Sequence, residues 1–450
     1  MKKLNSLLCV FIATLLCATS CTEQDDFENV GEGDSAPNKC MLDFNVSCAE
    51  YDMPATRAAT STTWKEGDKV YFTFDNNAYG MATYSSASQW AIEYYGTLPQ
   101  NKKSTCKAVY FDNPKSREQF QAVNLSHETA IYEDTLATYQ FDGSLLTITA
   151  NLQPKTGRIR FKGNLRDTIH VYGLNVGTRY SVFKGEYADT VTFVRLIAKS
   201  DGYTPYIYGE FPDSTSRRLN VATAKSAYTR VFPNSVMKQG LSGWLSIPTD
   251  SCHTAWQNKM IFKVKTTEFA MMPVTEYGHL SFLIGETEVT KGLHNAVTDS
   301  IIMKSDYPQT FNTYKSATDY ITLLNAALGI NFTLPTQKQW YWAYHGGEKS
   351  QNYTYSGSNT AAEVAWYKDN SGGKAHKVAI LMPNELGIYD MSGNLSEWTS
   401  SFFKNHNYHF KYYYCESSYS TSAEFKTTYD LSSNNTNNGI ETGVRLALLF

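Results

Sequence analysis

The sequence predicts a multidomain, exported chain: an all-β, sandwich-like N-terminal region followed by an α+β C-terminal region. Three observations predict it. The N-terminus reads as a leader, short alternating segments run from Met41 to Asp250, and near Lys259 the pattern changes to helical periodicity among Gly- and Asn-rich loops.

Met1-Lys2-Lys3 and the apolar run from Leu7 to Ala18 have the charged start and short apolar core of a signal peptide. The run is too short to span a bilayer. It closes on Ala18-Thr19-Ser20-Cys21, which resembles the lipobox cleaved before an acylated cysteine in bacterial lipoproteins. Residues 1–20 are then the signal peptide and Cys21 the lipidated N-terminus; an ordinary secretory peptide is the alternative. More than one acyl chain gives stable attachment. Residues 21–40 open with Thr22-Glu23-Gln24-Asp25-Asp26-Phe27-Glu28 and lack apolar periodicity, so they read as an acidic tether. That cluster resembles the signal that carries lipoproteins of Bacteroides-type bacteria to the outer face of the outer membrane. The resemblance implies an outer-membrane lipoprotein exposed on the cell surface; a solvated linker is the plainer reading.

The formal charge of -3 leaves no basic footprint, which argues against a nucleic-acid partner. The chain is 14% aromatic, with 32 Tyr, and only 18% charged, a composition suited to protein or carbohydrate contact. Beyond Cys21 the cysteines are Cys40, Cys48, Cys106, Cys252 and Cys415. Their odd number and scattered spacing fit neither a disulfide framework nor a zinc site. A Cys40–Cys48 bridge is one option the spacing leaves open.

Residues 41–255 form the β region, as one or two domains. Lys69–Phe74, Ala108–Phe111, Leu146–Ala150, Arg158–Phe161, 169–174, 191–196, 206–208 and 244–247 read as strands between Gly, Asn, Asp and Pro breaks. Ala55-Thr56-Arg57-Ala58, the Trp64–Val70 phrase with its turn at Glu66-Gly67-Asp68, and Lys155-Thr156-Gly157-Arg158-Ile159-Arg160-Phe161-Lys162-Gly163 resemble fimbrillin-type β-sandwich lipoproteins. That resemblance implies fimbria-like assembly and makes Arg57 the counterpart of a protease processing site. A generic sandwich is the alternative.

Residues 256–450 form the C-terminal domain. Apolar positions 317, 320, 321, 324 and 328 make a helical stripe that Gly329 ends. Thr336 is the N-cap of a second helix that stops at Gly346-Gly347. Around them, Ile284–Thr290, Asn331–Trp340, Ala343–Gly347, Pro383–Thr399 and Gly443-Val444-Arg445-Leu446 follow the order of the formylglycine-generating enzyme (sulfatase-modifying factor) family, and the domain is identified as similar to it. The resemblance implies a C-type lectin-like fold. It also implies calcium, held by the backbone carbonyls of Asp390, Gly393 and Leu395 and by the carboxylate of Glu397, which is hard oxygen chemistry. A tight turn at Gly393-Asn394 without metal is the alternative. A second calcium site is not expected, because Val364 stands where an Asn ligand would.

The family's activity, oxidation of a client cysteine, uses copper between two neighbouring thiolates. Here Cys415 has no second cysteine between it and Phe450, so copper is not expected and no catalytic residue is assigned; Cys415 would serve only if the enzyme alternative held. His406 and His409 read as solvated loop histidines. The aromatic, Asn- and Ser-rich segment 400–438 lies where relatives place a variable contact face. Tyr408, His409, Tyr412, Tyr413 and Tyr414 are therefore the candidate ligand-binding residues, with a protein or carbohydrate ligand expected. Core aromatics with a loop are the alternative. Three functions remain: a surface ligand-binding or adhesion protein, an oxidoreductase of the sulfatase-modifying factor class, and a structural subunit of a fimbria-like assembly.

Overall fold

The computed structural model describes residues 36–49, 51, 64–75, 77–85, 89–115, 120, 122–162, 168–211, 217–232, 239–240, 242–248, 257–300, 304–404, 410–416, 418–422, 426–430 and 441–450. The expectations placed on Cys21, the acidic cluster, Arg57 and Cys252 fall outside them. Among the described residues no helix is long and apolar enough to cross a membrane.

The first unit contains β1 (Asn38–Cys48), β2 (Lys69–Phe74), β3 (Tyr79–Tyr84), β4 (Trp90–Tyr95), β5 (Lys103–Asp112), β6 (Val123–Asn124), β7 (Ala130–Phe141) and β8 (Leu145–Pro154). Strand β1 starts inside the span expected to be tether. It pairs antiparallel with β4 over 38–40 and parallel with β8 over 41–48, so seven strands close in the order β1-β4-β3-β2-β5-β7-β8. The expected sandwich is thus a closed barrel here, because a pairing distant in sequence joins its edges. Cys40 and Cys48 lie eight residues apart on one extended strand, about 26 Å by strand rise, far beyond disulfide reach. Neither is in a disulfide, which rules out that bridge. The turn before β2 forms as expected: Gly67 takes a φ of 84° and the Lys65 amide donates to Asp68 Oδ2 at 2.7 Å.

The second unit contains β9 (Gly157–Lys162), β10 (Thr168–Ser181), β11 (Glu186–Ile197), β12 (Ile207–Gly209), β13 (Arg218–Ala222), β14 (Ala227–Val231) and β15 (Ser242–Ser246). Sheets β11-β10-β13-β14 and β12-β9-β15 enclose a core that includes Ile159, Phe161, Val171, Leu196, Ile207 and Val221. The β region therefore holds a buried cluster in each unit and a third that both share.

The third unit contains β16 (Met260–Val264), β17 (Thr267–Glu276), β18 (His279–Gly285), α1 (Lys291–Thr298), α2 (Tyr314–Leu328), β19 (Phe332–Thr333), α3 (Gln337–Tyr344), α4 (Ala361–Val364), β20 (Ala365–Trp366), β21 (Ser392–Gly393), β22 (Ser396–Lys404), β23 (Phe410–Glu416), β24 (Lys426–Asp430), β25 (Thr442–Gly443) and β26 (Ala447–Leu449). Both expected helices are present. In each, Thr313 or Thr336 accepts from the amide three residues on and Ser316 or Gln339 returns the bond, a capping box. Gly329 ends α2 at a φ of 63°. One sheet runs β16-β17-β18-β26-β19 and another β24-β23-β22-β25.

The units are not separate bodies with separate cores. Tyr71, Val109 and Phe111 of the first pack with Tyr180 and Val182 of the second. Tyr172, Ala222 and Ala227 of the second share one core with Met260, Phe262 and Leu283 of the third. At that seam Asn220 donates from Nδ2 to the Ile261 carbonyl at 2.9 Å and accepts the Ile261 amide at 3.2 Å, so it fills both backbone groups of one residue. Phe262 meets the rings of Tyr172, Phe269 and Phe332 there. Phe262→Ala should therefore cost about 3–5 kcal/mol and lower the melting of the second and third units together. Calorimetry that resolved only a C-terminal shift would show the seam to be uncoupled.

Candidate functional site

The centre of the third unit is a buried ion pair. Glu397 comes in on β22 and Arg445 on the segment between β25 and β26, and both are almost without exposure, at 1% and 0%. Arg445 Nε lies 3.0 Å from each Glu397 oxygen and Nη2 lies 2.7 Å from Oε1. Trp340 of α3 donates its indole N–H to Oε2 at 2.5 Å. The remaining guanidinium donors reach the carbonyls of Gly285 at 3.0 Å and Tyr389 at 2.9 Å. One pair therefore binds β18, α3, β22, the loop before β21 and the chain's last strand. Gly285 must be small: a Cβ there would meet the Thr287 carbonyl at 2.8 Å and Arg445 Cγ at 3.2 Å.

This geometry bears on the fit of the expected calcium cage. Both oxygens of Glu397 already accept from Arg445 and Trp340, and a guanidinium occupies the carboxylate's open side. A cation beside it would meet like charge, so Glu397 does not fit as the ligand that closes a cage with Asp390, Gly393 and Leu395. Asp390, buried at a φ of 56°, spends its Oδ2 on the Ala379 amide at 2.7 Å. Gly393, at a φ of 83°, lets β21 pass Trp366, whose carbonyl a Cβ would meet at 2.3 Å. Leu395 is buried. The loop is a packed turn, held also by Asn394: its Oδ1 accepts the His376 amide at 2.9 Å, its own amide bonds the Trp366 carbonyl and its carbonyl accepts the Tyr419 amide. His376 stacks on Trp366 with ring centroids 3.8 Å apart.

A second anchor lies in the Pro383–Thr399 stretch. Asn384 donates to the Ala343 carbonyl at 2.8 Å and to Ser356 Oγ at 3.0 Å, while its Oδ1 accepts the amides of Leu386 and Ile388. The end of α3 is thereby tied to the loop ahead of Asp390. Sequence reasoning singled out the stretch but not Asn384, Trp340 or Arg445 as the partners that make it rigid. The available signal was a lone acid in Ser396-Glu397-Trp398 and a lone base in Val444-Arg445-Leu446, each inside a run destined for burial.

Beside the ion pair lies Glu288, 1% exposed, with neither carboxylate oxygen hydrogen-bonded. Burial, then the neighbouring Asp390 carboxylate, pushes its acid well above the usual range. Asp390 is pushed up to about 6, chiefly by burial.

The expected ligand face is placed only in part. Tyr408, His409 and His406 fall outside the described residues. The backbone of Tyr412, Tyr413, Tyr414 and Cys415 forms β23, with Tyr412 opposite Phe402, Tyr414 opposite Trp398 and Cys415 opposite Glu397. Among the described residues Cys40, Cys48 and Cys106 belong to the first unit, and burial raises the Cys106 thiol to about 12.

Residues 253–449 match the family model of the sulfatase-modifying factor enzyme 1-like domain, so the chain carries such a domain in its C-terminal part, as its motifs suggested. Over 95 residues it is 44% identical to the chaperone protein LppX of Paenibacillus barcinonensis, covering 17% of this chain and 33% of that protein. The chain thus spans about a third of that curated relative's length. Among solved structures, Treponema denticola variable protein 1 is similar at 21% identity and a TM-score of 0.35, over 43% of this chain and 99% of that one. PvdO from Pseudomonas aeruginosa is similar at 15% identity and 0.33, over 42% and 98%. A fimbrial protein from Bacteroides ovatus is similar at 9% identity and 0.27, over 92% and 100%.

Two outcomes follow from the centre. Glu397→Ala strands a buried guanidinium and should cost about 3–5 kcal/mol, with the same melting shift in calcium and in chelator. A chelator-sensitive wild-type melt would restore the calcium cage. A carboxylate with a raised value takes up a proton on folding, so it favours the fold at acid pH and loses that contribution as pH rises through the raised value. Glu288→Gln should therefore flatten the fall of stability with rising pH above the usual carboxylate range and be more stable than wild type at the alkaline end of that range. A variant less stable than wild type throughout denaturant titrations over that range would show Glu288 to be usefully ionised.

Proposed function

We propose that the chain is a surface lipoprotein that binds a protein or carbohydrate ligand through a non-catalytic, lectin-type C-terminal domain, anchored through Cys21 and exposed on the cell surface. The observation that carries the reading is the thiol count: Cys415 is the sole cysteine between Trp398 and Phe450. A single thiolate cannot hold copper in the two-thiolate geometry that oxygen activation in such domains requires. The third unit is organised instead around a closed ion pair, with Glu397 and Arg445 spent on each other, which suits a scaffold for a contact face better than a reaction centre.

Strands β22 to β24 and the residues around them, with Tyr408, His409, Tyr412, Tyr413 and Tyr414, make up that face in this reading. Tyrosine brings contact area at low entropic cost, and the surrounding Asn and Ser add hydrogen bonds. The name chaperone protein, carried by the partial relative, belongs with holding another protein rather than with chemistry.

The test is to incubate the purified protein with copper, a thiol reductant and a peptide bearing a sulfatase-type cysteine motif, and to look for the aldehyde by mass. No aldehyde above background is expected. Aldehyde formed by the wild type and lost in Cys415→Ser would replace the binding reading with an oxidoreductase.

A further inference from the structure

The Lys155–Gly163 phrase, noted in the sequence, finds no use in the C-terminal domain. It contains β9, whose Ile159 and Phe161 enter the core of the second unit. Side chains alternate along a strand, so Arg158, Arg160 and Lys162 stand on the opposite face, about 6.8 Å apart.

There the cations interleave with rings. Arg158 lies 4.6 Å from the Tyr51 ring centre and 4.3 Å from that of Tyr206. Arg160 lies 4.9 Å from Tyr206 and 4.2 Å from Tyr203. Lys162 caps Tyr203 at 6.0 Å. The result is a column, Tyr51-Arg158-Tyr206-Arg160-Tyr203-Lys162. Trp244, opposite Arg160 in the register of β15 with β9, stands edge-on to Tyr203 and is 50% exposed.

Among the described residues none of the three cations has a carboxylate partner within ion-pair distance, and Arg160 Nε has no hydrogen-bond partner. A hollow of about 200 Å³ adjoins the column and brings Lys199 beside Arg160. Two acids also line it: Asp201, which accepts the Tyr203 amide at 2.9 Å, and Glu128, which lies 3.7 Å from His127.

We propose that this face of the second unit binds an acidic, uronate-bearing glycan. Arg158 turns its Nε to Ser242 Oγ at 2.9 Å and its Nη1 to the Tyr208 hydroxyl at 3.3 Å, while rings take up the faces of Arg160 and leave its Nη donors to meet a carboxylate edge-on, the arrangement arginine favours. The faces of Tyr203 and Tyr206 are in turn covered by cations, so they are not platforms for nucleobases. What the column offers is a row of N–H and O–H donors beside one half-exposed indole. A chain of sugars carrying carboxylates, hydroxyls and an apolar ring face complements that row; an acidic peptide complements only its charge. The site is on a different unit from the proposed ligand face and does not depend on it.

Isothermal titration of the full-length protein with oligogalacturonate, an uncharged oligosaccharide of equal length, a polyglutamate peptide and inorganic phosphate separates these cases. Oligogalacturonate should bind saturably and weaken with added salt, while the uncharged sugar should not bind. Arg160→Gln should weaken binding by about 10-fold. Because Arg160 packs between rings, Lys162→Gln and Trp244→Ala, both at exposed positions, test the face without disturbing the core, and each should weaken binding by several fold. No binding by wild type at about 1 mM, or unchanged binding in all three folded variants, would overturn the site. Polyglutamate or phosphate binding as tightly as oligogalacturonate would overturn its assignment to a glycan.

Discussion

The Glu397–Arg445 pair is the constraint on which the C-terminal unit depends. Two charges with almost no exposure are tolerable only because every strong donor and acceptor on them is matched: the carboxylate by Arg445 and Trp340, the guanidinium also by the carbonyls of Gly285 and Tyr389. Several elements must arrive together for that match to exist. This gives a unit rich in loops a single register, and it explains why the last residues of the chain are structural. Arg445 brings β26 between β18 and β19, where Leu448 pairs with Leu283 and Phe332. Without that strand the sheet would split.

The same logic, on a smaller scale, joins the first two units. Glu133 of β7 is held between Lys107 at 2.5 Å and Lys155 at 2.9 Å. Burial works against its charge, but the two ammonium groups win and keep the acid below its usual range. Around it Tyr180 and Val182 enter the first unit's apolar cluster. Asn220 and Phe262 then join the second unit to the third. Contact surfaces on the second and third units are in this way fixed relative to one another, which a chain of flexibly linked domains would not achieve.

Where local physics decides, the sequence was legible. Alternation located β2 to the residue, the apolar stripe closed by Gly329 located α2, and the N-cap Thr336 located α3. Non-local pairings were not legible: the parallel union of β1 with β8, which makes a barrel of an expected sandwich, depends on residues about a hundred positions apart. The short α1 escaped although its eight residues are amphipathic, because its N-cap, Thr290, lies inside a motif read for family resemblance. At the candidate site the stretch from Asp390 to Trp398 was found, but not the pairing of its Glu397 with Arg445. A glutamate that closes a carbonyl cage and one that pairs with a distant arginine look alike until Arg445 is seen beside it.

Glu288 shows what this arrangement leaves unbalanced. Three acids, Glu288, Asp390 and Glu397, meet a single base, and the base is already spent on Glu397. Asp390 has an amide donor, whereas Glu288 has none, so its charge would be both desolvated and repelled. Hydrogen bonding therefore decides which acid keeps its charge, since all three are equally buried. Glu397 receives four contacts from two side chains, whereas Glu288, with no hydrogen-bonded oxygen, has its acid pushed well above the usual range by burial and by Asp390.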